Sequence, residues 1–375
     1  MIRAVQDTLL SYLGSGPDPG RVVPYECVVP SGELTREVVL PLVARRNMRD
    51  ALRYLCGASV AVDVRADLFD ILSDLAHDEM DTFFTQPEVT DWVDRVRVTS
   101  PIIRRPNPND LVLLLIAQYE KFRGNVPDRL VRYAPEGEES HRRIAGYLLR
   151  RDSDNPDGVR LPVLEVEGIS VQGLPCVWLS VNFPEVDWIS VQSKSEIRQR
   201  ANIVAAALDL TERSWPEAAA ELKSIVRWIV PLNVVESFNV PAMRGLLAFD
   251  ALSVWRTSAD LVHEASHNAL SNLLDLFTVS RSPLDPVRSP FSNESGPLTS
   301  LVHSCWSFTR EIELQRRFVR LGMDIPRYTS TWRKTMKFFE LAEQVLGAHN
   351  SFTPFGAELV RGVLDRAGAI AREGL

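Results

Sequence analysis

The sequence predicts a predominantly α-helical protein with a small β-sheet, an α+β fold. Apolar residues recur at helical spacing over most of the 375 residues, as in ELTREVVLPLVARRNMRDALRYLCG, which ends at Gly57. Two short segments, LPVLEVEGISVQ and CVWLSVNF, are rich in β-branched residues and indicate strands. A further short apolar strand, residues 243–252, is followed directly by a helix at residues 257–277.

Changes in composition along the chain divide it into three regions. Residues 1–150 are predicted to form a helical N-terminal region, and the polar stretch RRDSDNPDGVR follows them. Residues 151–255 form a mixed α/β region with short strands. Residues 256–375 are predicted to be helical, apart from a Pro- and Ser-rich loop at residues 278–296.

The charge and cysteine content exclude some classes of partner and compartment. A net charge of −7 and a pI near 5.5 argue against a nucleic-acid or membrane-surface protein, because the chain has no dominant basic field. The sequence shows no apolar run of membrane-spanning length and no secretory signal. Its four cysteines (Cys27, Cys56, Cys176 and Cys305) form no CxxC pair. We therefore expect a cytoplasmic protein without disulfides, while its oligomeric state stays open.

The segment HEASH is the first candidate functional motif. His263 and His267 are one helical turn apart, so their rings project from the same face and can bind one metal ion. Glu264 lies about 100° further around the helix and can act on a substrate atom without binding the metal. The alternative is a pair of buried core histidines. Burying two imidazoles and a carboxylate costs several kcal/mol unless each has a partner, which favours the metal site.

A metal site of this kind needs a third protein ligand. The metzincin continuation is absent, because Leu270 and Leu273 stand where Gly and His are required. His303, on a second apolar-periodic helix that Pro297 opens, is the first choice, so three of the six histidines fall within residues 263–303. Glu311 or Glu313 on the same helix is the alternative. The predicted arrangement is zincin-like, with a strand before the HExxH helix and the loop 278–296 over the site.

Two segments, one around the HEASH motif and one around His303, resemble those of a known protein family. VHEASHNALSNLLDL, followed by Ser289-Pro290-Phe291, Pro297-Leu298, Val302-His303 and Phe308, resembles the HExxH-motif peptide-modification family of ribosomal peptide natural-product biosynthesis. The resemblance covers about residues 235–320. It implies metal binding by His263, His267 and His303 and a ribosomally made precursor peptide as substrate. It also implies hydroxylation of that peptide at a β-carbon with Fe(II) and 2-oxoglutarate.

One departure from the family pattern concerns the co-substrate. Gly296 stands where the family usually has an arginine before Pro-Leu. If that arginine binds the 2-oxoglutarate carboxylate through paired hydrogen bonds, another residue must replace it here. Arg281, Arg288 and Arg310 are the candidates, and Arg310 lies two helical turns after His303, on about the same face.

Three functions from different classes therefore remain open. The first is the peptide-modifying oxygenase, in which Glu264 orients a ligand or the substrate. The second is a zinc metallopeptidase, in which Glu264 is the general base for the attacking water and the strand at residues 243–252 aligns a peptide by edge pairing. The third is a non-catalytic peptide-binding module, in which the HEASH segment is structural.

Overall fold

The computed structural model describes residues 9, 11–57, 62–97, 115–116, 118–119, 122–123, 163–167, 169–172, 194–231, 237–239, 243–251, 253–325 and 328–373. Within these ranges the chain is mostly helical with a small sheet, which confirms the predicted fold class. The predicted strand CVWLSVNF, Cys176 and most of the residues between 98 and 162 lie outside the described residues.

Ten helices of seven residues or more occur in the described ranges. They are α1 (Leu40–Gly57), α2 (Val62–Asp74), α3 (His77–Phe83), α4 (Pro87–Arg97), α5 (Lys194–Ser214), α6 (Pro216–Ile225), α7 (Val254–Leu276), α8 (Leu298–Arg320), α9 (Tyr328–Gly347) and α10 (Pro354–Glu373). Helix α1 continues a short helical turn, Gly32–Leu34, and a π-helical turn, Thr35–Val39. No helix in the described ranges combines the length and apolar character needed to span a membrane.

Among the described residues, the central sheet has five strands in the order β1-β2-β3-β5-β4. These are β1 (Val163–Val166), β2 (Ile169–Gln172), β3 (Trp228–Pro231), β4 (Phe238–Asn239) and β5 (Leu246–Phe249). Strand β5 pairs in parallel with β3 and antiparallel with β4, so it lies inside the sheet. The sequence-based idea that the strand at residues 243–252 aligns a peptide by edge pairing is therefore wrong, and β4 is the outermost strand on that side within the described part of the chain.

Strands β3 and β5 are buried along their whole length, which explains their continuously apolar sequences, WIVP and LLAF. Helix α7 packs against this sheet and against α5, and Leu261 and Ala265 join Leu247 and Phe249 in one core cluster. The other side of α7 packs on α8. The HEASH helix is therefore central, as its apolar sequence predicts.

Two local details differ from the sequence-based expectations. Helix α7 begins at Val254 with Ser253 as its N-cap, three residues before the predicted start, because the apolar spacing extends further towards the N-terminus. The segment predicted to be a loop contains a small hairpin of β6 (Pro286–Arg288) and β7 (Ser295–Pro297). Asn293, at φ 61°, allows the chain to turn between these strands.

Candidate metal site

The three histidines predicted to bind metal lie together between α7 and α8. Nε2 of His263 lies 3.2 Å from Nε2 of His267, and Nδ1 of His267 lies 3.3 Å from Nδ1 of His303. The ring of His303 is stacked on that of His267 with 5.4 Å between their centroids. Residues 36 positions apart are therefore brought into contact, as the predicted packing of the two helices requires.

The spacing of the two Nε2 atoms is compatible both with a hydrogen bond between the rings and with two ligands of one ion. Two donors about 2.0–2.1 Å from a tetrahedral metal lie a little over 3 Å apart, and His263 and His267 match this spacing. The third histidine differs. His267 faces His263 with one ring nitrogen and His303 with the other, and a single ion binds just one of the two. In the described part of the chain, no three His, Cys, Asp or Glu side chains direct their donors at one point. Binding by all three therefore requires at least one of these rings to reorient.

Glu311 supports His263 from the side opposite His267. Its Oε2 lies 2.8 Å from Nδ1 of His263, and its Oε1 accepts a hydrogen bond of 2.8 Å from Gln315. A carboxylate on Nδ1 fixes the tautomer that leaves Nε2 free to bind metal. Glu311, one of the two carboxylates considered as third ligand, thus contacts the candidate ligand His263. The other, Glu313, is buried in ion pairs with Arg316, Arg317 and Arg366.

The protonation of the three rings follows from their surroundings. Burial, together with the positive charge of Arg244, lowers the pKa of His303 to about 4. Burial and the two neighbouring imidazoles lower the pKa of His267 well below its usual value. Burial acts in the same direction on His263, but the hydrogen bond and charge of Glu311 outweigh it and raise the pKa. His267 and His303 are therefore neutral at pH 7, the form that binds metal.

Glu264 is buried beside these rings and held by the edge strand. Its Oε1 accepts a 2.7 Å hydrogen bond from the Ser237 hydroxyl, and its Oε2 accepts one of 3.1 Å from the Asn239 amide. A second carboxylate, Asp260, lies one turn earlier on α7. Burial raises its pKa to about 6, against the effect of Arg256, and the charges of Glu311 and Glu264 add to the increase. The site thus combines imidazoles with several carboxylates.

The hairpin β6–β7 contacts the site through two phenylalanines of the predicted motif. Phe291 stacks on Phe308, with 4.9 Å between ring centroids and 6° between planes. Phe308 in turn packs edge-to-face on His263 at 4.9 Å. Phe291 also contacts Phe338 and Phe339 of α9. The segment predicted to lie over the site is therefore linked to His263 by stacked aromatic rings.

Of the three arginines considered for binding the co-substrate carboxylate, one is buried and two are exposed. Arg310 is buried, and its guanidinium donates to Glu221 and to the backbone carbonyls of Val28, at 3.1 Å, and Cys27, at 2.8 Å. A carboxylate ligand would have to displace one of these acceptors. Arg288 is exposed on β6 and donates to Asn293, and Arg281 is exposed just before the hairpin.

Sequence reasoning missed three polar residues that act on the site. Asn239 belongs to the edge strand and Ser237 directly precedes it, 25 and 27 positions before Glu264, and no motif marks them. Arg244, whose charge reaches His303, lies next to the strand that precedes the HExxH helix. An arginine beside such a strand is a signal that the sequence did contain.

A scan against models of known protein families gives no match for this chain, and a search of curated proteins gives none either.

Proposed function

We propose that this chain is a metal-dependent enzyme that modifies a ribosomally made precursor peptide. Its favoured reaction is hydroxylation of a β-carbon with Fe(II) and 2-oxoglutarate. The observation that carries this proposal is the contact of the His263, His267 and His303 rings, backed by Glu311 on His263. Neutral imidazoles suit both iron and zinc, and the family resemblance favours iron.

Bound Fe(II) would supply the chemistry with O2, in which one oxygen atom enters the peptide C–H bond and the other enters succinate as CO2 leaves. The chain's own residues prepare the site for it. His263 and His267 present two Nε2 atoms at a ligand spacing, and Glu311 keeps the first of these rings in position. Phe308 packs on His263 and excludes water from that side of the ring.

The edge strand β4 is our candidate for the peptide-binding element. It pairs with β5 on one side, and Ser237 and Asn239 connect it directly to Glu264. An extended peptide that adds to such an edge is held by main-chain hydrogen bonds, independent of its side chains. This would place the backbone of a substrate beside Glu264 and would leave alternate side chains directed towards the metal site.

The hairpin geometry shows whether Arg288 could take the place of an arginine at residue 296 in binding 2-oxoglutarate. Gly296 pairs with Val287, so a side chain at residue 296 would lie on the same face of the hairpin as the buried Val287. Arg288 and its partner Ser295 belong to the opposite, exposed face. Arg288 therefore does not reproduce the position of the family arginine. A Cβ at Gly296 would meet just the Ser300 Cβ, at 4.0 Å, so the position has room for a side chain.

Zinc-dependent peptide hydrolysis is the second candidate. The observation favouring it is that Glu264 follows His263 directly and lies beside the edge strand that could align a peptide. In that reaction Glu264 would take the proton of the attacking water. However, both carboxylate oxygens already accept hydrogen bonds, one from Asn239 of β4 and one from Ser237 directly before it. This tethering suits a positioning role better than proton transfer, which is why we place hydrolysis second.

Anaerobic reconstitution with Fe(II), followed by 2-oxoglutarate, O2 and candidate precursor peptides encoded by genes next to that of this chain, tests the proposal. We expect a gain of one oxygen atom in the peptide and one succinate per product. A parallel reaction with Zn(II) should give neither product nor cleavage. Cleavage with zinc that Glu264→Gln abolishes would replace hydroxylation by hydrolysis. Absence of both products with either metal would contradict the enzymatic proposal.

A further inference from the structure

The tip of the β6–β7 hairpin, residues 289–294, is held together by its own hydrogen bonds. The Ser289 amide donates to the Glu294 carbonyl at 2.8 Å, and the Asn293 amide donates to the Ser289 carbonyl at 2.8 Å. The Asn293 side chain accepts a further bond of 2.8 Å from Arg288 of β6. Within the described part of the chain, no hydrogen bond connects this tip to an element outside the hairpin. The tip can therefore move as a unit with these bonds intact.

The base of the hairpin is fixed, in contrast to its tip. The Leu298 amide donates to the Asp285 carbonyl at 2.8 Å, which joins the two ends of the hairpin. Val287, in the middle of β6, is buried in the core cluster that also contains Leu298 at the start of α8. A motion of the tip would therefore bend the chain where the paired strands end, at Arg288 and Ser295.

Phe291 is the one aromatic side chain of the tip, and it links the tip to two helices. Its ring stacks on Phe308 of α8 and meets Phe338 and Phe339 of α9 edge-on, with ring centroids 5.7 and 5.4 Å away. Phe291 is half-buried, whereas residues 292–294 are exposed. A ring held by apolar contacts can leave and return without breaking a hydrogen bond, so Phe291 has the properties of a latch.

The ring under this latch lies against a candidate metal ligand. Phe308 stacks on Phe291 with one face and contacts His263 edge-to-face at 4.9 Å. Since 16% of the His263 side chain is exposed, a peptide has little room beside this ring while the tip is closed. Release of Phe291 would uncover a face of Phe308 and allow that ring to turn away from His263.

We propose that residues 289–294 form a gate over the histidine site, latched by Phe291, that opens to admit a substrate and closes over it. Lids of this kind exclude water from a reaction and retain the substrate. The purpose of the gate rests on the proposed function, because the gate controls access to the same site. Its motion does not require bound metal, so it can be measured separately from catalysis.

Carbethoxylation of histidines in the metal-free full chain measures whether the gate opens. Diethyl pyrocarbonate reacts with accessible imidazoles, and peptide mass spectrometry gives the rate at His263 relative to the exposed His77. We expect Phe291→Ala to raise this relative rate about tenfold, which corresponds to a loss of about 1.4 kcal/mol from the closed state. Phe291→Tyr keeps the stacked ring and should react as the wild type does.

Phe355→Ala separates opening of the gate from a general loss of stability. Phe355 stacks on Phe277 with 4.4 Å between ring centroids, in a contact that does not involve the tip. This variant also loses an aromatic contact, yet its rate at His263 should equal that of the wild type. An unchanged rate in Phe291→Ala, or an equal increase in both alanine variants, would overturn the gate.

Metal exchange provides a second, kinetic measurement. The contacts of Phe291 are the same with and without metal, so its loss should raise the rates of binding and release by the same factor. Phe291→Ala should therefore release Zn(II) to a chelator about tenfold faster at unchanged affinity. Weaker binding at an unchanged association rate would mean that Phe291 only positions His263, and it would contradict the gate. A wild-type chain that binds no metal would contradict the proposed function, while carbethoxylation would still decide whether the gate exists.

Discussion

Glu311 contacts His263 through a 2.8 Å hydrogen bond between Oε2 and Nδ1, on the ring edge away from His267. The two residues belong to the facing helices α8 and α7, so this bond joins the packing of the helices to the orientation of a candidate metal ligand. Because metal-binding histidines typically donate their second ring nitrogen to such a carboxylate, this contact is what a metal site built on His263 requires.

Loss of this carboxylate should weaken metal binding without removing a ligand. We expect Glu311→Ala to lower Fe(II) or Zn(II) affinity about 10- to 100-fold, because the His263 ring loses its fixed orientation and some basicity. Competition with a chromophoric chelator measures the change. Glu340→Ala, at an exposed position on α9, is the matched control. Equal affinities of the Glu311 variant and the wild type would show that the carboxylate has no part in metal binding.

The buried Arg310–Glu221 ion pair is expected to stabilise the fold. Arg310 stacks over Trp306 at 4.3 Å and connects α8 to α6 and to the backbone at Cys27 and Val28. Arg310→Leu should lower the free energy of unfolding by about 3–5 kcal/mol, because it leaves Glu221 charged, buried and unpaired. Denaturant titration gives this value.

The double variant Arg310→Leu/Glu221→Leu should recover much of that loss, since both charges are then removed. Metal affinity should stay at the wild-type value in the folded fraction. An Arg310 variant that unfolds like the wild type but no longer uses 2-oxoglutarate would instead assign this arginine to the co-substrate.

The contact of Phe291 with Phe308 should hold the hairpin over the site. Phe291→Ala removes a partly buried ring and should cost about 1–3 kcal/mol. It should also speed amide hydrogen exchange within residues 286–297, because the hairpin loses its contact with α8. Leu284→Ala is the control in the same segment, since Leu284 is 78% exposed. Unchanged exchange in Phe291→Ala would mean that other contacts hold the hairpin.

Introducing an arginine at residue 296, where the family that the sequence resembles usually has one, tests the use of 2-oxoglutarate directly. Gly296→Arg should lower the KM for 2-oxoglutarate by about tenfold, because a guanidinium binds a carboxylate through paired, charge-assisted hydrogen bonds. Gly296→Met adds similar bulk without charge and should leave the KM unchanged. If both variants raise the KM, residue 296 does not face the co-substrate, and the part of the resemblance that concerns 2-oxoglutarate does not apply to this chain.

Sequence reasoning anticipated the parts of the molecule that rest on local periodicity. The position of α7, the strand before it and the proximity of His303 to His267 all follow from apolar spacing and from helices that must bury one face. The roles of individual side chains depend on distant partners instead. Arg310 could be placed on the same helical face as His303, but nothing in the sequence indicated that Glu221, 89 positions earlier, would bind it.

The sequence also could not predict the position of β5 within the sheet or the orientation of the His303 ring. Strand β5 is internal because β4, a strand of two residues, pairs with it, and so short a strand has no periodic signal. The tautomer and rotation of the His303 ring depend on side-chain packing, which spacing along a helix does not determine. The result is a close cluster of three histidines in which two Nε2 atoms lie at a ligand spacing and His303 faces the other nitrogen of His267.

Metal content of the chain purified anaerobically and loaded with Fe(II) tests the central claim most directly. We predict about one metal ion per chain for the wild type and for His77→Ala, which removes an exposed histidine on α3. His263→Ala, His267→Ala and His303→Ala should each lose most of it while retaining helical circular dichroism. Binding by all three variants at the wild-type level, or no binding by the wild type, would contradict a metal site at these histidines.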